Sequence, residues 1–162
     1  KRSMVGYMKN LREHLALPPG GFEEATLSCQ TQDRVYIKKR AGFVKLCLQH
    51  GYSIVPVYCF GERQTYWNLQ GFWNFRLKQL NGMGIPAVVP WGSVGMLAKR
   101  KNVRMLIVAG EPIRCPKLES PTKLDVERWH KTYMAALVKM FDEFKVDAYG
   151  EVAGKTAKLE LW

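Results

Sequence analysis

Between residues 39 and 60 the hydrophobic pattern changes period within a few positions, and that change restricts the chain to a narrow set of architectures. Phe43, Val44, Cys47 and Leu48 recur three and four apart, so residues 39–50 are expected to form a helix that buries these four. Gly51 follows as the left-handed residue that closes it. Two residues on, Ser53-Ile54-Val55-Pro56-Val57-Tyr58-Cys59-Phe60 is a β-rich run too apolar for an exposed edge. Pro56 removes one ladder donor and so belongs at a strand end or a sheet margin.

The same alternation extends in both directions. Met4, Met8, Leu11 and Leu15 share one helical face. Leu15-Ala16-Leu17 is a short apolar run, read as a strand, that stops at Pro18-Pro19-Gly20-Gly21. Val35-Tyr36-Ile37 reads as a short strand, residues 67–80 as a helix, residues 82–95 as irregular chain and residues 104–109 as a strand. Thr122 with Asp125 three residues on has capping-box spacing, and Trp129, Tyr133, Leu137, Phe141 and Phe144 mark the core face of the helix that follows. This order predicts a single α/β domain over residues 1–162, its sheet covered by helices.

Apolar residues make up 47% of the 162 positions and charged residues 24%, enough for a packed core and too apolar for intrinsic disorder. Lys and Arg number 25 against 14 acids, a formal charge of +11 that favours an anionic partner such as phospholipid headgroups, a phosphorylated small molecule or nucleic acid. The four cysteines form no CxxC pair and no histidines cluster, so no metal is expected and a reducing compartment fits best. No stretch approaches the roughly 18–20 apolar residues that cross a bilayer, and no secretory leader follows Lys1-Arg2-Ser3-Met4.

Pro19-Gly20-Gly21-Phe22-Glu23-Glu24 is the most pointed local feature. Two glycines let the backbone approach a ligand closely, and their N–H groups can face an anion or a developing oxyanion. Glu24, just beyond, can orient or charge-tune a catalytic group. An ordinary turn before a solvated helix start suits the same spacing. Lys38-Lys39-Arg40 with Lys45 forms one basic cluster, and Lys99-Arg100-Lys101 with Arg104 a second. Each is either a grip on phosphates or an anionic membrane, worth about 1 kcal/mol per basic residue, or solvated charge. Trp67, Phe72, Trp73, Phe75 and Trp91 suit either core packing or an apolar, interfacial surface. Of the histidines, His50 suits a helix C-terminus and His130 a structural place in the long helix. His14 lies within reach of the Gly-Gly turn. No stacking motif or recognition-helix pattern supports nucleic-acid binding. These residues alone do not identify a reaction.

Taken in series, however, several segments resemble the type 2 diacylglycerol acyltransferase family, which includes monoacylglycerol and wax-alcohol acyltransferases. They are Pro19-Gly20-Gly21-Phe22-Glu23-Glu24-Ala25, Lys39-Arg40-Ala41-Gly42-Phe43-Val44-Lys45-Leu46, His50-Gly51, and Val55-Pro56-Val57-Tyr58-Cys59-Phe60-Gly61-Glu62. Val108-Ala109-Gly110-Glu111-Pro112-Ile113, Pro121-Thr122 and His130-Lys131-Thr132-Tyr133 complete the series. Ala41 stands where the family often has Lys, and Cys59 where Ser is common.

The resemblance implies a glycerol-phosphate-acyltransferase-like fold and transfer of a fatty acyl group from acyl-CoA to a glyceride hydroxyl, forming triacylglycerol. Monoacylglycerol or a wax alcohol is the alternative acceptor, and a non-catalytic membrane-surface lipid-binding fragment the alternative of another class. It implies location at the cytosolic face of the endoplasmic reticulum membrane or at lipid droplets, with no cofactor beyond acyl-CoA as substrate. The family's His-Pro-His-Gly block, which carries the general base, is absent from these 162 residues. The chain therefore reads as the C-terminal part of one catalytic domain, incomplete at its N-terminus. By resemblance Glu24 belongs to the catalytic constellation, orienting that upstream His or steadying its charged form. Gly20 and Gly21 lie near the carbonyl oxygen, and Lys38, Lys39, Arg40 and Lys45 meet acyl-CoA phosphates or the membrane.

Overall fold

Thr122 starts the longest element. Its Oγ1 accepts the Asp125 N–H at 3.2 Å while Asp125 Oδ2 accepts the Thr122 N–H at 2.9 Å, the reciprocal cap that the spacing predicts. In the computed structural model, which describes residues 2–10, 14–86, 88–95 and 98–162, this helix runs over Lys123–Tyr149. It is 27 residues long, spanning about 40 Å. His130, Tyr133, Leu137, Met140 and Phe141 fall on its buried face, with Trp129 and Phe144 half-buried at the margins.

In chain order the elements are α1 (Arg2–Asn10), α2 (Gly21–Leu27), β1 (Asp33–Val35), α3 (Gly42–His50), β2 (Val57–Phe60), a 3-10 turn (Glu62–Gln64), β3 (Trp67–Asn68) and α4 (Trp73–Met83). β4 (Pro90–Trp91), β5 (Leu106–Ala109), α5 (Lys123–Tyr149), α6 (Glu151–Thr156) and β6 (Leu159–Leu161) follow. The core joins Val35 and Ile37 at β1, Val44 and Leu48 of α3, Ile54 before β2, and Tyr133, Leu137 and Met140 of α5. Gly51, at φ 70°, ends α3 by donating its N–H to the Cys47 carbonyl.

The described strands pair two by two. β1 runs parallel to β6, with Arg34 opposite Glu160; β2 is antiparallel to β5, with Tyr58 opposite Val108; β3 is antiparallel to β4. Pro56 sits just outside β2, and its carbonyl accepts the Gly110 N–H at 2.8 Å while its missing donor falls between the Ile54–Ile113 bridge and the β2–β5 ladder. Among the described residues no helix is long and apolar enough to cross a membrane.

Several local expectations change. The helix expected over residues 67–80 begins only at Trp73 and runs to Met83. Gly71 and Phe72 both take positive φ, 92° and 53°, which breaks the helical path, and Asn68 Nδ2 ties the segment before them to the Ser28 carbonyl. Leu15-Ala16-Leu17 forms no strand, because Pro18 and Pro19 supply no ladder donors and the run stays exposed. Leu11 lies outside the described residues, and Leu15 lies beyond α1 in irregular chain. The strand expected at 35–37 is Asp33–Val35; Ile37 continues it by donating its N–H to the Trp162 carbonyl at 3.0 Å. The sequence reading did not anticipate α6 and β6. α6 folds back on α5 at Gly154, where a Cβ would come within 2.6 Å of Val146 Cα.

Candidate functional site

Glu24 lies in the first turn of α2, where free backbone N–H groups favour an acid. Its Oε2 accepts the backbone N–H of Tyr36 at 3.0 Å, linking α2 to the residue after β1. The side chain folds back over Gly20, and a Cβ there would lie 2.6 Å from Glu24 Cβ. Gly20 has an ordinary helical φ of −69°, so it is needed for space; Gly21, at φ +60°, is needed for its conformation. Burial pushes the Glu24 carboxyl above its ordinary range; the Tyr36 N–H opposes that shift, and the charge of Glu62 adds to it.

Two cavities include Glu24 in their linings. One, of about 380 Å³, is lined by Gly21, Ser28, Gln32, Asp33, Arg34, Arg63 and Asn68 among others. The other, of about 670 Å³, is lined chiefly by apolar groups, including Leu15, Leu17, Phe43, Leu46, Ile54 and Leu137. Pro18, Glu24, Val35, Tyr58, Cys59 and Glu62 border both. A protonatable carboxyl thus borders both the smaller, more polar chamber and a larger, more apolar one of a size that suits a small lipophilic ligand.

The smaller chamber is also bordered by a buried carboxylate that sequence reasoning missed. Asp33 Oδ1 accepts the hydroxyls of Tyr58 at 2.9 Å and Tyr149 at 2.6 Å, and Oδ2 accepts Arg63 Nε at 3.2 Å. Burial and the hydrogen bond to Asp33 push Tyr149 up to about 12, and burial drives Tyr58 higher still. The network joins β1, β2, the 3-10 turn and the end of α5. Its members are 25, 30 and 116 residues from Asp33 in sequence, so no local motif reveals it.

The basic residues singled out in the sequence lie apart from the cavities; Arg34 and Arg63 border the smaller one instead. Lys38 and Lys39 occupy an exposed turn, Lys45 projects from α3, and none of Lys38, Lys39, Arg40 and Lys45 borders either chamber. Arg40 is ion-paired with Glu23 of α2 and stacks over Tyr36, its guanidinium carbon 5.4 Å from the ring centre. In the second cluster Arg100 lies over Trp67 at 4.3 Å, while Lys99, Lys101 and Arg104 are exposed. His14 borders the apolar chamber, and His50 ends α3. His130 is buried edge-on to Phe43; burial lowers its proton affinity, against a hydrogen bond to Ile37. Trp67, Phe72, Phe75 and Trp91 are exposed, whereas Trp73 is half-buried beneath Arg34 and Arg76.

The family model for diacylglycerol acyltransferases matches residues 5–161. The chain is 36% identical over 141 residues to Diacylglycerol O-acyltransferase 2 of Homo sapiens, an alignment covering 78% of this chain and 35% of that protein. It is 35% identical over 144 residues to Diacylglycerol O-acyltransferase 2 of Dictyostelium discoideum, covering 82% and 43%. With Diacylglycerol O-acyltransferase 2-like protein 6 of Mus musculus it shares 35% identity over 162 residues, covering 88% and 45%. The chain thus spans between about a third and somewhat under half the length of these relatives. No solved structure matches it. With the family model matched along nearly its whole length, this chain belongs to the diacylglycerol acyltransferase family.

Proposed function

We propose that this chain is the C-terminal part of the catalytic domain of an acyl-CoA-dependent O-acyltransferase that converts diacylglycerol to triacylglycerol. The observation that carries this reading is the place of Glu24, a half-buried carboxyl that lines both the more polar and the more apolar cavity. The apolar chamber takes the fatty tail, and the polar chamber takes the thioester and the attacking hydroxyl.

In this reading the glyceride hydroxyl attacks the thioester carbonyl, a C–O bond forms as the C–S bond breaks, and the coenzyme A thiolate leaves. The hydroxyl proton passes to a histidine from the part of the protein that precedes this chain and then to the thiolate. Glu24 is a positioning residue that orients this histidine and steadies its charged form. Gly21, which borders the polar chamber, presents its backbone near the carbonyl oxygen, and Gly20 leaves room for Glu24. Lys38, Lys39 and Lys45 are exposed for acyl-CoA phosphates or anionic lipid, while Arg40 steadies α2 through Glu23.

The fold proposed is a glycerol-phosphate-acyltransferase-like sheet. β1 and β2 each pair with a single described strand, which leaves edges for further strands of a longer protein. The protein is proposed to work at the cytosolic face of the endoplasmic reticulum membrane and at lipid droplets. Exposed Phe72 and Phe75 support membrane contact, and equally favour a second reading, a lipid-binding surface without catalysis.

Expression of the intact protein in cells lacking their own triacylglycerol synthesis tests the proposal. Labelled triacylglycerol is expected with the wild type and is lost with Glu24→Ala, while membrane association is retained. Labelled wax ester, or product only from monoacylglycerol, redirects the acceptor assignment. Membrane binding with no acyl transfer to any of these acceptors sinks the catalytic reading.

A further inference from the structure

Gly21, Glu24, Ala25 and Ser28 recur three and four apart and all border the polar chamber, so one face of α2 forms part of its wall. Ser28, the half-buried residue that closes α2, is clamped by Asn68 of β3, which is 6% exposed and borders the same chamber. The Asn68 amide nitrogen donates to the Ser28 carbonyl at 3.2 Å and to Ser28 Oγ at 3.0 Å. The amide oxygen accepts Gln70 Nε2, and Gln70 Oε1 in turn accepts the Gln30 N–H at 3.1 Å. Asn68 is therefore committed at both ends.

An amide nitrogen only donates, so Ser28 Oγ is the acceptor in this bond and its own proton is left for another partner. Among the described residues nothing accepts that proton. A hydroxyl that receives a hydrogen bond is also polarised to give a stronger one. Its neighbours around the chamber are engaged elsewhere. Tyr58 and Arg63 bind Asp33, Arg34 pairs with Glu160, and Thr65 donates its hydroxyl to the Glu62 carbonyl at 2.6 Å.

We infer that Ser28 recognises the acyl acceptor, donating its hydroxyl to an ester carbonyl of a glyceride. The inference rests on the acyltransferase reading and narrows it to the acceptor. Along the helix axis Gly21 lies about 4.5 Å before Glu24, and Ser28 about 6 Å beyond it. A span of roughly 10 Å keeps Ser28 from sharing the thioester oxygen placed near Gly21. With the attacking hydroxyl beside Glu24, the Ser28 end faces the rest of the acceptor. In a 1,2-diacylglycerol the ester on the carbon next to the free hydroxyl sets a carbonyl oxygen a few bonds from the attacking oxygen. A long-chain alcohol has no such oxygen and leaves the buried donor unpaired, which disfavours it.

The test uses the intact protein and two lipids with the same free hydroxyl and the same chains, 1,2-dioleoylglycerol and its diether counterpart, which lacks the carbonyls. Retention of each radiolabelled lipid on the purified protein measures binding, and circular dichroism confirms that each variant is folded. The wild type is expected to prefer the diester by roughly three- to tenfold, the worth of one neutral hydrogen bond. Ser28→Ala is expected to bring the ratio near one, and Ser28→Thr, which keeps the hydroxyl, to retain most of the preference. Equal binding of the two lipids by the wild type, binding of neither, or a preference unchanged in Ser28→Ala overturns the inference. In turnover, kcat/KM for the two acceptors is expected to follow the same ratios. A wild type that transfers no acyl group, yet loses its diester preference in Ser28→Ala, upholds the recognition and removes only the acyltransferase reading. Acylation of both lipids with equal kcat/KM keeps that reading and removes the inference.

Discussion

Glu24 Oε2 accepts the Tyr36 N–H at 3.0 Å, so the carboxyl that lines both cavities is anchored to the backbone that leaves β1. Burial raises its proton affinity, the Tyr36 bond opposes the rise, and the net direction is upward. The folded state therefore binds this proton more tightly than the unfolded chain does. Stability falls as pH rises from the ordinary carboxylate range through the raised native value, and above that the cost of burying the charge is present in full. Glu24→Gln keeps an oxygen for Tyr36 and carries no charge. It is expected to melt at a higher temperature than wild type at neutral pH, the gap closing below the ordinary carboxylate range, while acyl transfer is lost. Thermal unfolding from about pH 4 to pH 8 measures this. A variant less stable than wild type at the upper end contradicts it.

Asp33 makes the opposite case, a buried charge with its partners in place. Asp33 is 3% exposed and Arg63 17%, at 3.2 Å, and two phenols complete the shell. Asp33→Ala leaves Arg63 and both hydroxyls without their acceptor, and a loss of about 3–5 kcal/mol is expected. Asp33→Asn keeps an acceptor oxygen of the same shape and is expected to lose less. Urea unfolding at neutral pH compares the two. A cost below about 1 kcal/mol for Asp33→Ala shows that the network is not a stabilising joint.

The two glycines before α2 separate space from conformation. Gly20→Ala places a Cβ against the Glu24 side chain at an ordinary φ, so it is expected to displace Glu24 from Tyr36. Activity is expected to fall on the order of 10²-fold, the effect of a small misplacement at a reacting centre. Combined with Glu24→Gln, the same change is expected to add little, because both act on one group. Assays of the single and double variants decide it: independent, multiplicative losses place Gly20 outside this relationship.

What was legible in the sequence was whatever depends on neighbours in the chain. The Thr122–Asp125 cap, the left-handed Gly51 and the three-and-four spacing of Tyr133, Leu137 and Phe141 are local signals, and each appears where the spacing put it. Glu24 was singled out from its closeness to two glycines, although its hold on Tyr36 depends on how α2 meets β1. Asp33 was invisible because its partners arrive from β2, the 3-10 turn and the far end of α5. The start of α4 was misread because hydrophobic period alone does not register that Phe72 sits at positive φ. β6 escaped for a related reason: Leu159–Leu161 is three residues long, and its pairing with β1 spans almost the whole chain.

The exposed aromatics around α4 call for their own test. Phe72 is 80% exposed and Phe75 60%, and Trp67 and Trp91, cross-strand partners in β3 and β4, are also exposed. Arg100 lies over Trp67, and Lys78, Lys99 and Lys101 stand exposed in the same segments, so apolar rings and positive charge occur together. That combination suits an anionic bilayer surface, where rings enter the acyl boundary and lysines meet headgroups. Fully burying a phenylalanine is worth roughly 1.5–3 kcal/mol. Phe72→Ala with Phe75→Ala is therefore expected to weaken binding to phosphatidylserine-containing vesicles by at least about tenfold. Added salt is expected to weaken binding of the wild type and the double variant by similar factors, since the lysines remain. Vesicle flotation of the intact protein reads both effects. Unchanged partitioning of the double variant removes this face from the membrane contact.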